Sequence, residues 1–134
     1  MSVAVFADAF HFLALLNSSD AAHVRAIEAS CVAGREFVTT EFVLLELADA
    51  LAHPRDRVEF FVVRDAIIND ASFHIVPAST ELLARGIQFY RERPDKEWSL
   101  TDCISFAVMM ERSIAEALST DHHFEQAGFR SLLT

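Results

Sequence analysis

Lysine is almost missing from this chain: Lys96 is the only one in 134 residues, and 11 basic against 20 acidic residues leave a net charge of −9. A protein held on nucleic acid by bulk phosphate attraction carries the opposite balance, so a basic, sequence-independent coat is excluded. A nuclease is not, because carboxylates gathered round divalent cations invert the local field. Cysteine is nearly as scarce: Cys31 and Cys103 build no disulfide framework, which suits a reducing compartment. Glycine and proline occur three times each, too rarely for a disordered or linker-rich architecture. No uninterrupted apolar run is long enough to span a bilayer. The apolar start, residues 3–6, follows no positive segment and is soon broken by Asp8, so it makes a poor secretory signal. The expectation is a cytoplasmic protein without membrane contact.

What the chain does have is apolar mass, 52% hydrophobic residues, enough for a single domain over 1–134 that buries roughly two-thirds of its unfolded surface. Residues 3–7 are continuous and rich in β-formers, as in a strand buried on both faces of a parallel sheet. Helices are expected over 9–16 and 21–33, the second capped from the Asn17-Ser18-Ser19-Asp20 turn and closed by Gly34 as its C′ residue. A strand over 36–39 leads to Thr40, which can cap a helix over 41–52 that stops at His53-Pro54. In it Leu44, Leu47, Ala48 and Leu51 make an i, i+3, i+4, i+7 core stripe, with Glu46 beside it. A helix over 55–68, a strand over 73–76 and a helix from Ser79 to about Arg91 follow, then a polar loop through 93–96. The last third reads as a helix opened by Asp102 and ending near Arg112, a strand over 115–119, a short helix after Asp121 and an edge strand within 129–133. This alternation calls for an α/β fold, a three-layer α/β/α sandwich around a mostly parallel sheet of four or five strands.

In open parallel sheets the ligand site lies beyond the carboxyl ends of the strands. Asp8 and Asp121 fall at such ends, Asp102 at a helix start, and Glu46 about one and a half turns into the helix after the second strand. All four can point into one crevice. Unit charges about 4 Å apart repel by roughly 4 kcal/mol at an effective dielectric near 20, so such a cluster needs cations between its members. Hard oxygen donors favour Mg²⁺ or Mn²⁺ over zinc, and the chemistry they suit is metal-assisted phosphodiester hydrolysis. Each acid also has a plain structural reading. Ser99-Leu100-Thr101-Asp102 is a capping-box pattern, Asp8 and Asp121 can be N-caps, and Glu46 can be solvated. Spacing alone does not choose between the two.

Four segments carry more. Val5-Phe6-Ala7-Asp8 with Leu15-Leu16-Asn17, then Thr40 through Glu46-Leu47, then Ser99 to Phe106 and Leu118-Ser119-Thr120-Asp121-His122-His123-Phe124 with Gly128-Phe129, together resemble the PIN-domain ribonucleases, especially the VapC-like toxin branch. The resemblance spans nearly the whole chain and is most specific in its final third. It implies a metal-dependent endoribonuclease of RNA, with Mg²⁺ or Mn²⁺ as cofactor and a cognate antitoxin and a homodimer as candidate partners. Carried over by position, Asp8, Glu46, Asp102 and Asp121 match the family's acidic residues. Two positions depart from the pattern: Ala9 stands where Ser or Thr commonly follows the first Asp, and Ser113 where Gly commonly precedes the last core strand.

Around the acids, Thr40, Ser99, Thr101 and Thr120 are candidates to hydrogen-bond the carboxylates, with capping as the alternative for each. His122 and His123 are adjacent, and adjacent helical residues point about 100° apart, so they are not expected to chelate together. Cys103 reads as a small core residue rather than a nucleophile. Arg85, Arg91, Arg93 and Lys96, interleaved with Tyr90 and Trp98, form the one basic and aromatic cluster; Arg91, Arg93 and Lys96 are the candidate RNA phosphate contacts, against the reading of a solvated helix end. Phe10, Leu13, Leu16, Val24 and Ile27 read mostly as core, any surplus being a groove for an antitoxin helix. Two rival functions stand beside the nuclease. One is a PIN-like domain without useful turnover that binds RNA or protein, suggested by Ala9 and the acidic charge. The other is a phosphoacceptor domain, disfavoured because Pro77, not Asp, follows the middle strand.

Overall fold

The computed structural model describes residues 4–134; Val3, expected in the first strand, lies outside them. In chain order the elements are β1 (Ala4–Ala7), α1 (Ala9–Leu16), α2 (His23–Ser30), β2 (Glu36–Thr40), α3 (Glu41–Ala50), α4 (Arg57–Ile68), β3 (Phe73–Val76), α5 (Thr80–Glu92), α6 (Leu100–Glu111), β4 (Glu116–Leu118), α7 (His123–Gln126) and β5 (Arg130–Ser131). The five strands form one sheet in the order β3-β2-β1-β4-β5, every pair parallel. The apolar run of β1 takes the central place, with Val5, Phe6 and Ala7 fully buried. The steps from β1 to β2 and from β2 to β3 move one way across the sheet, and the step from β3 to β4 returns past them. With right-handed crossovers, that reversal puts helices on both faces and opens a crevice between β1 and β4, the point where strand order changes direction.

The core is thickest around α6, where every residue from Asp102 to Met109 is buried. This helix packs on α5 at Gly86, where an added Cβ would collide with Ile104 Cγ1 and lie 3.1 Å from Ile104 Cα. Edge-on rings continue the core from Trp98 to Phe106 and from Phe106 to Phe124, each pair with centroids 5.1 Å apart. Beyond its last turn α6 closes in a Schellman motif: Ile114 N–H donates to Met109 O at 2.8 Å and Ser113 N–H to Met110 O at 3.2 Å. The C′ residue of that motif is Ser113, at φ +55°. Glycine is the usual occupant because a Cβ crowds the left-handed conformation, which gives the departure at Ser113 a physical content.

Several expected boundaries move. The Asp20 carboxylate accepts the Ala22 N–H at 2.8 Å, a turn that delays α2 to His23; the helix then ends at Ser30, not Ala33. Gly34 (φ +74°) therefore turns the loop to β2 and is not the C′ residue of α2. The α4 helix begins at Arg57 rather than Arg55, because Asp56 N–H still bonds back to His53 O. Asp102 does not open α6: Ser99 is the N-cap and Asp102 the third helical residue. The outer face of α1 and α2 is also not core, since Phe10, Val24 and Ile27 are 42%, 63% and 43% exposed.

Candidate active site

Register creates the centre of the site. Phe6 and Ala7 of β1 pair with Ala117 and Leu118 of β4, so the next residue on each strand, Asp8 and Ser119, meet at the sheet edge. Asp8 N–H donates to Leu118 O at 3.2 Å. The Ser119 hydroxyl donates to Asp8 Oδ2 at 2.8 Å and accepts the Asp121 N–H at 3.0 Å. One buried hydroxyl thus holds the first acid and aims the last. Asp8 is the N-cap residue of α1, as the sequence allows, but its side chain makes no cap hydrogen bond and is held by Ser119 instead.

Asp102 enters from α6. The expected capping box is present: Asp102 N–H donates to Ser99 Oγ at 3.0 Å, and Ser99 N–H to Asp102 Oδ2 at 3.2 Å. Capping and site placement coincide here, because the box fixes the carboxylate while leaving it able to accept another donor. That donor is His123, whose Nδ1 lies 3.0 Å from Asp102 Oδ2 and 3.1 Å from Asp121 Oδ2. Asp121 in turn takes the His123 N–H on Oδ1 at 2.9 Å. Glu46 arrives from α3, which Thr40 starts by accepting the Val43 N–H at 3.1 Å.

The electrostatics bind the four acids together. Burial pushes Asp8 from 3.8 up to about 7; the Ser119 bond opposes the rise, and the charges of Glu46 and Asp102 add to it. Glu46 is raised by burial and by the charges of Asp102, Asp121 and Asp49. Asp102 is raised by burial, with the His123 and Ser99 bonds pulling the other way. Among the described residues no arginine or lysine pairs with any of the four. Carboxylates held together without a cation raise each other's proton affinity, and their oxygen-rich donor set suits a hard divalent ion.

The candidates around the acids divide. Thr40 and Ser99 act as caps, while Thr101 and Thr120 are half-buried and make no side-chain hydrogen bond among the described residues. Arg91 and Lys96 border a surface depression with Tyr90 and Pro94. Arg93 is bound to Asp95 at 3.0 and 2.9 Å and lies 5.3 Å over the Trp98 ring. None of the three pairs with the acids, so their link to the site runs only through the loop that leads to Ser99. Cys103 is fully buried and burial pushes its thiol up to about 11, as a core residue and not a nucleophile.

Sequence reasoning misses two residues of the site. It favours Thr120 over Ser119, although a strand reaching that point beside β1 sets Ser119 opposite Asp8. It also sets His123 aside together with His122 on helical geometry. That argument does not hold here, because His122 is the N-cap of α7 and precedes the helix, and the two rings sit 4.8 Å apart.

A family model described as PIN domain matches residues 5–130. Among solved structures, Mycobacterium tuberculosis VapC20, a sarcin-ricin loop cleaving toxin, is 26% identical with a TM-score of 0.83, over 93% of this chain and 95% of that one. FitAcB from Neisseria gonorrhoeae is 16% identical with a TM-score of 0.65, over 95% and 94% of the two chains. VapBC2 from Rickettsia felis, bound to a DNA fragment from their promoter, is 9% identical with a TM-score of 0.69, over 96% and 97%. No curated protein matches the sequence.

Proposed function

The chain belongs to the PIN-domain family, and from that premise we propose that it is the endoribonuclease toxin of a toxin–antitoxin pair, dependent on a divalent metal, with Asp8, Glu46, Asp102 and Asp121 as its catalytic and metal-holding residues. The observation that carries the reading is the convergence of four acids from β1, α3, α6 and the loop after β4 at the strand-order switch, where the charges of Glu46 and Asp102 add to the rise at Asp8, those of Asp102 and Asp121 to the rise at Glu46, and that of Asp121 to the rise at Asp102. The VapC20 likeness, together with that of FitAcB and VapBC2, supports the toxin branch.

Asp8, Asp102 and Asp121 would hold the metal, Mg²⁺ or Mn²⁺, and Glu46 would bind it or position the attacking water. An ion held there supplies Lewis acidity, activating water and stabilising charge on the leaving oxygen. The protein's own part is preorganisation. Ser119 fixes Asp8 and the Asp121 backbone, the Ser99 box fixes Asp102, and the His123 N–H fixes Asp121. Glu46, half-buried among acids, has a raised proton affinity and is the group suited to take a proton from water as it attacks. The substrate we assign is single-stranded or loop RNA, the class whose unpaired backbone can enter a crevice of this kind. Arg91, Arg93 and Lys96 are the phosphate contacts proposed beside it. A cognate antitoxin is the protein partner, and the exposed Phe10, Val24 and Ile27 of α1 and α2 are its proposed seat.

Ala9 favours the second reading, a binding module without turnover. Against it, Asp8 does receive a hydroxyl bond, from Ser119 rather than from the next residue. Asp102→Asn keeps the side-chain oxygen that accepts the Ser99 N–H and removes the charge. It should leave the fold intact and abolish metal-dependent cleavage of labelled RNA. Cleavage at the parent rate would overturn the mechanism, and metal binding by the parent without any cleavage would favour the binding module.

A further inference from the structure

We infer that His123 is a metal ligand, and that with Asp102 and Asp121 it makes a mixed nitrogen and oxygen donor set that selects Mn²⁺ over Mg²⁺. The inference rests on the proposed metal-dependent reading of the acids and adds a donor that this reading does not contain. Nδ1 of His123 lies 3.0 Å from Asp102 Oδ2 and 3.1 Å from Asp121 Oδ2. Cis ligands about 2.1 Å from an octahedral ion stand about 3.0 Å apart, so both separations already have the length of an octahedral edge. A tetrahedral zinc site would set them wider, at about 3.4 Å.

The three side chains are also held from behind. Ser99 N–H braces Asp102, and the His123 N–H takes Asp121 Oδ1, which leaves Oδ2 as the free oxygen. Because the same backbone N–H belongs to His123, Asp121 and the imidazole are tied into one unit. Without an ion, His123 Nδ1 is hydrogen-bonded to Asp102 Oδ2 and stands beside Asp121 Oδ2; a bound cation would take the place of that bond and draw on the three side chains. The side chains are 8% (Asp102), 15% (Asp121) and 18% (His123) exposed, so the unit is sheltered but reachable. His122 differs: its side chain is 73% exposed, and its Nδ1 stands 3.7 Å from Asp121 Oδ1. Asp121, His122 and His123 bring ligand atoms within 4.8 Å of one another, and of the two histidines His123 is the one that also reaches Asp102. Mg²⁺ takes oxygen donors and keeps its waters, so an imidazole nitrogen in the donor set disfavours it.

The test is Mn²⁺ binding followed by electron paramagnetic resonance, with pulsed detection of nitrogen coupling, on the parent, His123→Gln, His122→Gln and Asp102→Asn proteins. Thermal melts in EDTA check that each folds. Expected are an imidazole nitrogen coupling in the parent and in His122→Gln, its loss in His123→Gln, and Mn²⁺ affinity about tenfold weaker in that variant with Mg²⁺ affinity changed less than threefold. If His123→Gln does not fold, coupling that persists in His122→Gln carries the assignment to His123. Mn²⁺ bound without nitrogen coupling, coupling lost with His122 instead, or equal losses for both metals would overturn the inference and leave the acidic metal site standing. No Mn²⁺ binding by the parent would overturn the metal-dependent reading itself, and with it this inference.

Discussion

Asp8→Asn should make the metal-free protein more stable at pH 8, although it removes a residue of the proposed catalytic set. Asp8 is 2% exposed and its carboxyl is raised from 3.8 to about 7. Between those values the folded chain keeps a proton that the unfolded chain releases, so stability falls as pH rises from about 4 and the loss is complete above about 7. A carboxyl raised by about three pH units loses about 4 kcal/mol of stability on ionising, at roughly 1.36 kcal/mol per pH unit. Asparagine keeps an oxygen to accept the Ser119 hydroxyl and never ionises, so it should escape most of that loss. In a chain of this length a few kcal/mol corresponds to roughly 10 °C in melting temperature. The assay is thermal or urea unfolding of both proteins in EDTA at pH 5, 6, 7 and 8. The variant's advantage should grow with pH, and saturating Mn²⁺ should stabilise the parent more than the variant, since it relieves the same charge. A variant no more stable than the parent at pH 8, or an advantage largest at pH 5, would refute the account of Asp8 as an ionised acid waiting for a cation.

Ser119→Ala removes the hydroxyl shared by Asp8 and the Asp121 N–H; it should lower stability by about 1–3 kcal/mol in urea unfolding and reduce kcat for RNA more than it raises KM. Ser113→Gly relieves the left-handed C′ position of α6 and should raise stability by about 1 kcal/mol, seen as a higher melting temperature with RNA cleavage unchanged. Gly86→Ala forces α5 away from Ile104 and should destabilise by about 1–3 kcal/mol, measured as a shift in the urea midpoint at constant slope.

Much of the architecture is legible because local signals agree with it. The limits of α1 and β3 follow from apolar runs bounded by Asp8, Asn17 and Pro77, and the caps at Thr40, Ser79 and Ser99 are visible as hydroxyls ahead of periodic stretches. The differences come where a short polar side chain redirects the backbone. Asp20 forms its own turn and delays the start of α2. Exposure on α1 and α2 escapes the sequence because periodicity finds an apolar stripe but not whether another element covers it.

The sequence by itself determined the element types, since propensity and capping are properties of neighbouring residues, and it offered the four acids as candidates only through the family resemblance, because their spacing left each a structural reading. Only the tertiary structure decided which oxygen meets which donor. Asp8 and Ser119 are 111 positions apart and become partners because β1 and β4 lie side by side in register. His123 reaches Asp102 because α7 begins beside the first turn of α6, a relation between elements that no local pattern contains.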